Sequence, residues 1–177
     1  MFSMTNIVLD SLKTRRSCRS YQPDQIKPEE LSAVLEAGTW APTAMGTQEP
    51  FIVVVQNPDK IAQIERLNAS VMGNPDGHPF YGAPTLLIVF ADASRGGVFV
   101  EDGSLVMGNL LNAAHAVGLG SCWIHRAREV FGTEEGKAMM KEWGVPETYA
   151  GIGNCILGYP VQEAPAKPRK DGYVIFD

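Results

Sequence analysis

Cysteine is scarce in this 177-residue chain: Cys18, Cys122 and Cys155 are an odd number with no C-x-x-C pair. A disulfide framework is therefore not expected, and the usage fits a reducing cytoplasm. No apolar run approaches a membrane span, so membrane insertion is not expected. The apolar start, MFSMTNIVLDSLKTRR, carries its positive charge after the short apolar run instead of before it, opposite to a secretory signal. Histidine is limited to three residues, and Cys122 with His125 has the spacing of half a zinc site without a second pair to complete it, so no metal is expected. Positive charge is also in deficit. Fifteen Lys and Arg against twenty Asp and Glu give a net charge of -5, which would repel a nucleic-acid backbone.

No G-x-S-x-G elbow, complete dinucleotide fingerprint or P-loop is present. Gly118-Leu119-Gly120 follows a helical pattern instead of a strand and lacks its third glycine, and the 132–137 segment has neither the length nor the hydroxyl of a phosphate loop. With 45% apolar residues and no solenoid repeat, 1–177 is expected to be a single globular domain. At this size about 70% of the surface of the unfolded chain is buried.

Against that background the distribution of the few cations is informative. Lys13, Arg15, Arg16 and Arg19 fall in one seven-residue run, and Lys167, Arg169 and Lys170 in another near the end of the chain, so nearly half the positive charge occupies two short segments. Arg-Arg-Ser-x-Arg is suited to a compact phosphate: guanidinium groups donate in pairs to its oxygens and Ser17 adds a hydroxyl. Charge alone equally fits two solvated basic patches.

The periodicity predicts a first helix from Thr5 or Asn6 toward Arg15 and a second after Pro28, with Leu31, Val34, Leu35 and Gly38 on one face. Strands are expected at 51–55, 85–91, 121–124 and 150–158. Further helices are expected at 58–68, 99–117 and 131–143. Residues 69–84 carry glycine, proline and asparagine throughout and read as a long loop. His115, inside the most apolar helix, reads as a hydrogen-bonded core or interface residue. After Pro160 the chain reads as an extended arm ending in apolar 173–176.

Four blocks taken together, RRSCRSY at 15–21, APTAMGTQEPF at 41–51, GLGSCWI at 118–124 and AKPRK at 166–170, resemble the FMN-dependent nitroreductase family over almost the whole chain. The resemblance implies an α+β fold, a mostly antiparallel central sheet flanked by helices, in an intertwined homodimer with two FMN sites. It implies an NAD(P)H-dependent flavin oxidoreductase that takes hydride from NADH or NADPH and reduces nitroaromatic, quinone or similar electron-poor small molecules. A reductase specific for an enone or other metabolite, and a flavin-binding regulatory protein with little turnover, are the alternatives.

By the same resemblance, Arg15, Arg16 and Ser17 hold the FMN phosphate and ribityl chain, joined by Lys167 and Arg169. Arg19 reaches the pyrimidine edge, where a guanidinium stabilises charge developing on reduction. Pro42, Thr43 and Ala44 approach the flavin from the other subunit. Trp123, Ile124, His125 and Arg126 lie along the ring, and Asn74 offers an amide at its edge. The chain departs from the family at Gly46, where Asn is common, and at His125 and Arg126, where glycine is frequent. These departures are expected to alter substrate range.

Overall fold

The computed structural model describes residues 4–162 and 164–177. Four strands, β1 (Phe51–Val55), β2 (Thr85–Asp92), β3 (Gly120–Ile124) and β4 (Tyr149–Gly158), form one sheet in the order β1-β2-β4-β3. Every pairing between them is antiparallel. Among the described residues six α-helices accompany it: α1 (Ile7–Thr14), α2 (Pro28–Thr39), α3 (Pro58–Val71), α4 (Phe99–Ala116), α5 (Ala127–Gly132) and α6 (Glu134–Glu142). This is the expected α+β architecture.

The central strand β2 explains why the sheet has helices on both sides. Its run TLLIVFA is buried at every position, so alternate side chains enter two different cores, the pattern of a strand covered on both faces. Leu86, Ile88 and Phe90 join Ile64, Phe131 and Ile156 under α3, α5 and α6. Leu87 and Val89 join Val34, Met107 and Leu110 under α2 and α4. At roughly 25 cal/mol per Å² of apolar surface, these two layers supply most of the drive to fold.

The predicted helix at 131–143 is two helices. Thr133 separates them: its Oγ1 donates to the Val130 carbonyl at 2.7 Å and accepts from the Gly136 N–H at 3.0 Å, closing α5 and opening α6 with one side chain. The 132–137 segment, GTEEGK, carries no apolar side chain, and Thr133 before two glutamates was the cap signal available in the sequence. Helix α3 continues to Val71 instead of stopping at Asn68. The loop after it is anchored by Phe80, which is 1% exposed and whose N–H donates to Glu65 Oε1 at 2.7 Å.

Candidate functional site

Arg15 ends α1, and the next residues leave it in extended form to lie along the outer side of β3. Ser17 makes a parallel bridge with Ser121, and the Cys18 N–H donates to the Ser121 carbonyl at 2.9 Å. The segment then crosses to the end of β4, where Gln22 N–H donates to Tyr159 O and Val161 N–H to Ser20 O. Such close approach requires a glycine on β3. A Cβ on Gly120 would stand 2.8 Å from Cys18 Sγ. Two sequence blocks a hundred residues apart, RRSCRSY and GLGSCWI, therefore form one edge of the sheet.

The cations on this edge differ in their engagements. Arg16 donates from Nη1 to the carbonyls of Lys13 and Arg15 at 2.8 and 2.7 Å, covering the C-terminal turn of α1. Arg15 is half-buried and Arg19 exposed, and neither has an acidic partner within ion-pair distance among the described residues. Behind them, burial and then Cys122 push the Cys155 thiol well above its ordinary range, with the Arg15 charge opposing. Tyr21, raised by burial and then by Cys18, stays a neutral phenol and donates to the Cys18 carbonyl at 2.9 Å. A small cleft of about 40 Å³ lies between Arg16, Ser17, Gly120, Pro160, Gln162 and Ala164. The C-terminal arm thus starts beside the basic motif. Lys167 and Arg169 themselves are exposed, and Arg169 Nη2 donates to Lys167 O at 3.0 Å.

At the far end of β3 the chain turns sharply. Trp123 and Ile124 pack inward: a Cβ on Gly153 would lie 2.6 Å from the Trp123 Nε1, and Ile124 joins the opposite core layer. His125 is exposed, and Arg126 stands at φ 78°, the left-handed region where a glycine would be unstrained. Arg126 is paired with Glu129 at 3.6 Å. The buried Asn68 of α3 donates from Nδ2 to the His125 carbonyl at 2.9 Å.

The APTAMGTQ loop gathers two of the four positive-φ non-glycine residues among the described residues. Met45, Gly46 and Gln48 all have positive φ, at 57°, 67° and 52°. Non-glycine residues there cost about 1–3 kcal/mol each, and persist where surrounding contacts hold them. Asp102, 4% exposed at the start of α4, accepts from the Ala44 N–H at 2.9 Å, and Thr43 Oγ1 accepts from the Gln48 N–H at 2.9 Å. Pro42 is exposed, while Thr43 and Ala44 are half-buried. No hydrogen bond or bridge ties this loop to the basic edge within the chain, among the described residues.

Asn74 is exposed in the turn after α3, its carbonyl accepting from Gly77 N–H at 2.9 Å. Cys122 is buried in the core while His125 is on the surface. His115 Nε2 meets Thr14 Oγ1 at 2.9 Å, tying α4 to α1. Asn68 and Asp102 escaped the sequence reading. A polar residue in register with Ile61 and Ile64, and an acid opening an apolar helix, were the available signals.

Known proteins share this fold. A crystal structure of a nitroreductase with bound FMN from Bacteroides fragilis superimposes with a TM-score of 0.88 at 30% identity, covering 98% of this chain and 100% of that one. A protein of Methanothermobacter thermautotrophicus, provisionally named an NADH dehydrogenase/NAD(P)H nitroreductase, is 30% identical over 159 residues, 88% of this chain and 78% of that protein. The NAD(P)H FMN reductase of Bacillus subtilis is 25% identical over 186 residues, covering 93% of this chain and 70% of that protein. The sequence model of the Nitroreductase family matches residues 12–159, a span that holds the basic edge, the strained loop and all four strands; the chain belongs to that family.

Proposed function

We propose that this chain is an FMN-dependent oxidoreductase that takes reducing equivalents from NADH or NADPH and passes them to an electron-poor small molecule, a nitroaromatic or quinone. The observation that carries the reading is the basic edge: Arg15 and Arg19, without acidic partners among the described residues, stand beside Ser17 where it bridges to β3. Unpaired guanidinium groups next to a hydroxyl in an acidic protein match the donor set that an FMN phosphate requires. The FMN named with the Bacteroides fragilis relative and the NAD(P)H of the other two support it.

Arg15, Ser17 and the remaining nitrogens of Arg16 would hold the phosphate and ribityl chain, with Lys167 and Arg169 brought in by the arm that begins at the same cleft. Arg19 would serve the pyrimidine edge. The backbone of Trp123, Ile124, His125 and Arg126 would line the ring and Asn74 would meet its rim. Pro42, Thr43 and Ala44, with no tie to the basic edge of their own chain, would complete the site of a partner subunit in a homodimer. FMN, when bound, supplies the hydride-accepting and hydride-donating ring, so the protein's part is binding, orientation and electrostatics. No side chain is required as acid or base.

The test is FMN affinity and potential. Arg15→Ala is expected to weaken FMN binding roughly tenfold or more, the loss of a charge-assisted contact. Arg19→Ala is expected to keep FMN with a lowered reduction potential. Equilibrium dialysis and redox titration measure both; unchanged affinity in Arg15→Ala would remove the phosphate assignment. A reductase narrowed to an enone or other metabolite is the second reading, favoured by Arg126 where its backbone would suit glycine. Steady-state rates over a panel of acceptors separate the two.

A further inference from the structure

The peptide joining His125 to Arg126 is held in one orientation by a buried amide. Asn68 is 1% exposed and lies on the face of α3 that also carries Ile61 and Ile64. Its Nδ2 donates to the His125 carbonyl at 2.9 Å. A trans peptide is planar, with C=O and N–H on opposite sides. Fixing that carbonyl toward α3 therefore turns the Arg126 N–H away from α3.

That N–H is also available. Among the described residues it donates to no backbone or side-chain acceptor, Arg126 being the residue that opens α5. The positive φ of Arg126 adds a reason for an anchor. A peptide bordering a left-handed, non-glycine residue would otherwise relax toward a commoner conformation. Asn68 supplies the anchor at the carbonyl, and the Arg126–Glu129 pair at 3.6 Å supplies one at the side chain. An amide at a core-facing helical position otherwise has no packing rationale, because an apolar side chain of the same size would fill the space.

We propose that Asn68 is a positioning residue: by fixing the His125 carbonyl it presents the Arg126 N–H as a hydrogen-bond donor to the flavin ring. The proposal rests on the FMN reading above and adds a second-layer residue to it.

The experiment follows the Arg126 backbone amide by NMR in the full-length protein as FMN is added. In the wild type the Arg126 resonance is expected to shift on FMN addition and its solvent exchange to slow by about tenfold. Asn68→Leu removes the donor while keeping the branching of the side chain, and Asn68→Val removes it with a smaller one. Both are expected to retain FMN within a few-fold of the wild-type affinity, to lose the Arg126 response, and to show bleaching by NADPH slowed about tenfold. Ile64→Val, on the same helix face, is expected to leave all three readouts unchanged, separating orientation of the peptide from general loosening of α3.

An Arg126 amide that ignores FMN while the Ser17 amide responds would overturn the proposal alone, and needs no variant to be observed. So would a wild-type response in either Asn68 variant. A wild-type protein that takes up no FMN would overturn the FMN reading and this proposal with it.

Discussion

Asn154 lies in β4 with no exposed surface, opposite Ile124 on β3 and Ile88 on β2, and neither its Nδ2 nor its Oδ1 has a partner among the described residues. A buried amide without partners carries the full cost of leaving water, about 1–3 kcal/mol. Asn154→Leu, with the same branching and number of side-chain heavy atoms and able to pack with Ile124 and Ile88, is therefore expected to stabilise the fold by about 1–2 kcal/mol. Thermal unfolding would show this as a rise in Tm of about 2–8 °C at this chain length. A fall in Tm would mean that the amide is satisfied in solution, by an internal water for instance. The contrast with Asn68 is instructive. Both are core asparagines, yet one has its partner 2.9 Å away on the backbone of the candidate site. Nothing in the sequence distinguishes the two. The arginines were legible because their clustering is local, whereas Asn68 and Asp102 act on atoms 57 and 58 residues away.

Among the elements, α2 shows how one carboxylate joins helix and sheet. Glu30 Oε2 accepts from the Tyr159 hydroxyl at 2.6 Å and from the Lys27 N–H at 3.0 Å, so the start of the helix is tied to the residue after β4. The Tyr159 hydroxyl, then the Lys27 N–H, hold the Glu30 carboxyl below its ordinary value of 4.5, against a smaller opposing effect of burial. A carboxyl held down in the folded state stabilises that state above its unfolded value, and the contribution disappears as pH falls through the folded one. Glu30→Gln should thus be less stable than wild type at neutral pH, the gap closing as the pH drops below 4.5. Denaturant unfolding at several pH values checks the sign. The same contact pushes the Tyr159 phenol above 10.0, so it should also weaken as pH rises beyond that value. At this scale the sequence served well. All four strands and the positions of α1 to α4 followed from period and punctuation. The α5/α6 division did not, because one side chain, Thr133, caps both helices and leaves no loop between them to mark the boundary.

The whole molecule leaves apolar surface uncovered. Ile7, Val8 and Leu12 of α1 and Trp40 after α2 are 86, 63, 51 and 79% exposed. They surround an open hollow of about 740 Å³ shared with Ala113 and His115 of α4. Scattered apolar side chains need no explanation, but a contiguous group of this kind marks an association surface. We expect the proposed homodimer to form on this face; Tyr173 to Phe176, all exposed, add an apolar strip on the arm. Leu12→Glu is expected to shift the protein from dimer to monomer in sedimentation velocity, with bound FMN falling in parallel, because the strained loop would then lack a partner to serve. A monomeric wild type with full FMN occupancy would refute this.

The sequence by itself determined the four strands, α1 to α4 and the clustering of cations: β-branched runs and helical periods depend on neighbours a few residues apart, and the Arg15–Arg19 and Lys167–Lys170 groups are each local. Only the tertiary structure decided which segments share an edge. The bridge from Ser17 to Ser121, the grip of Asp102 on the strained loop and that of Asn68 on the His125 peptide each join groups separated by dozens of residues or more. Such contacts arise from packing two core layers against one sheet, a long-range condition that no local pattern encodes.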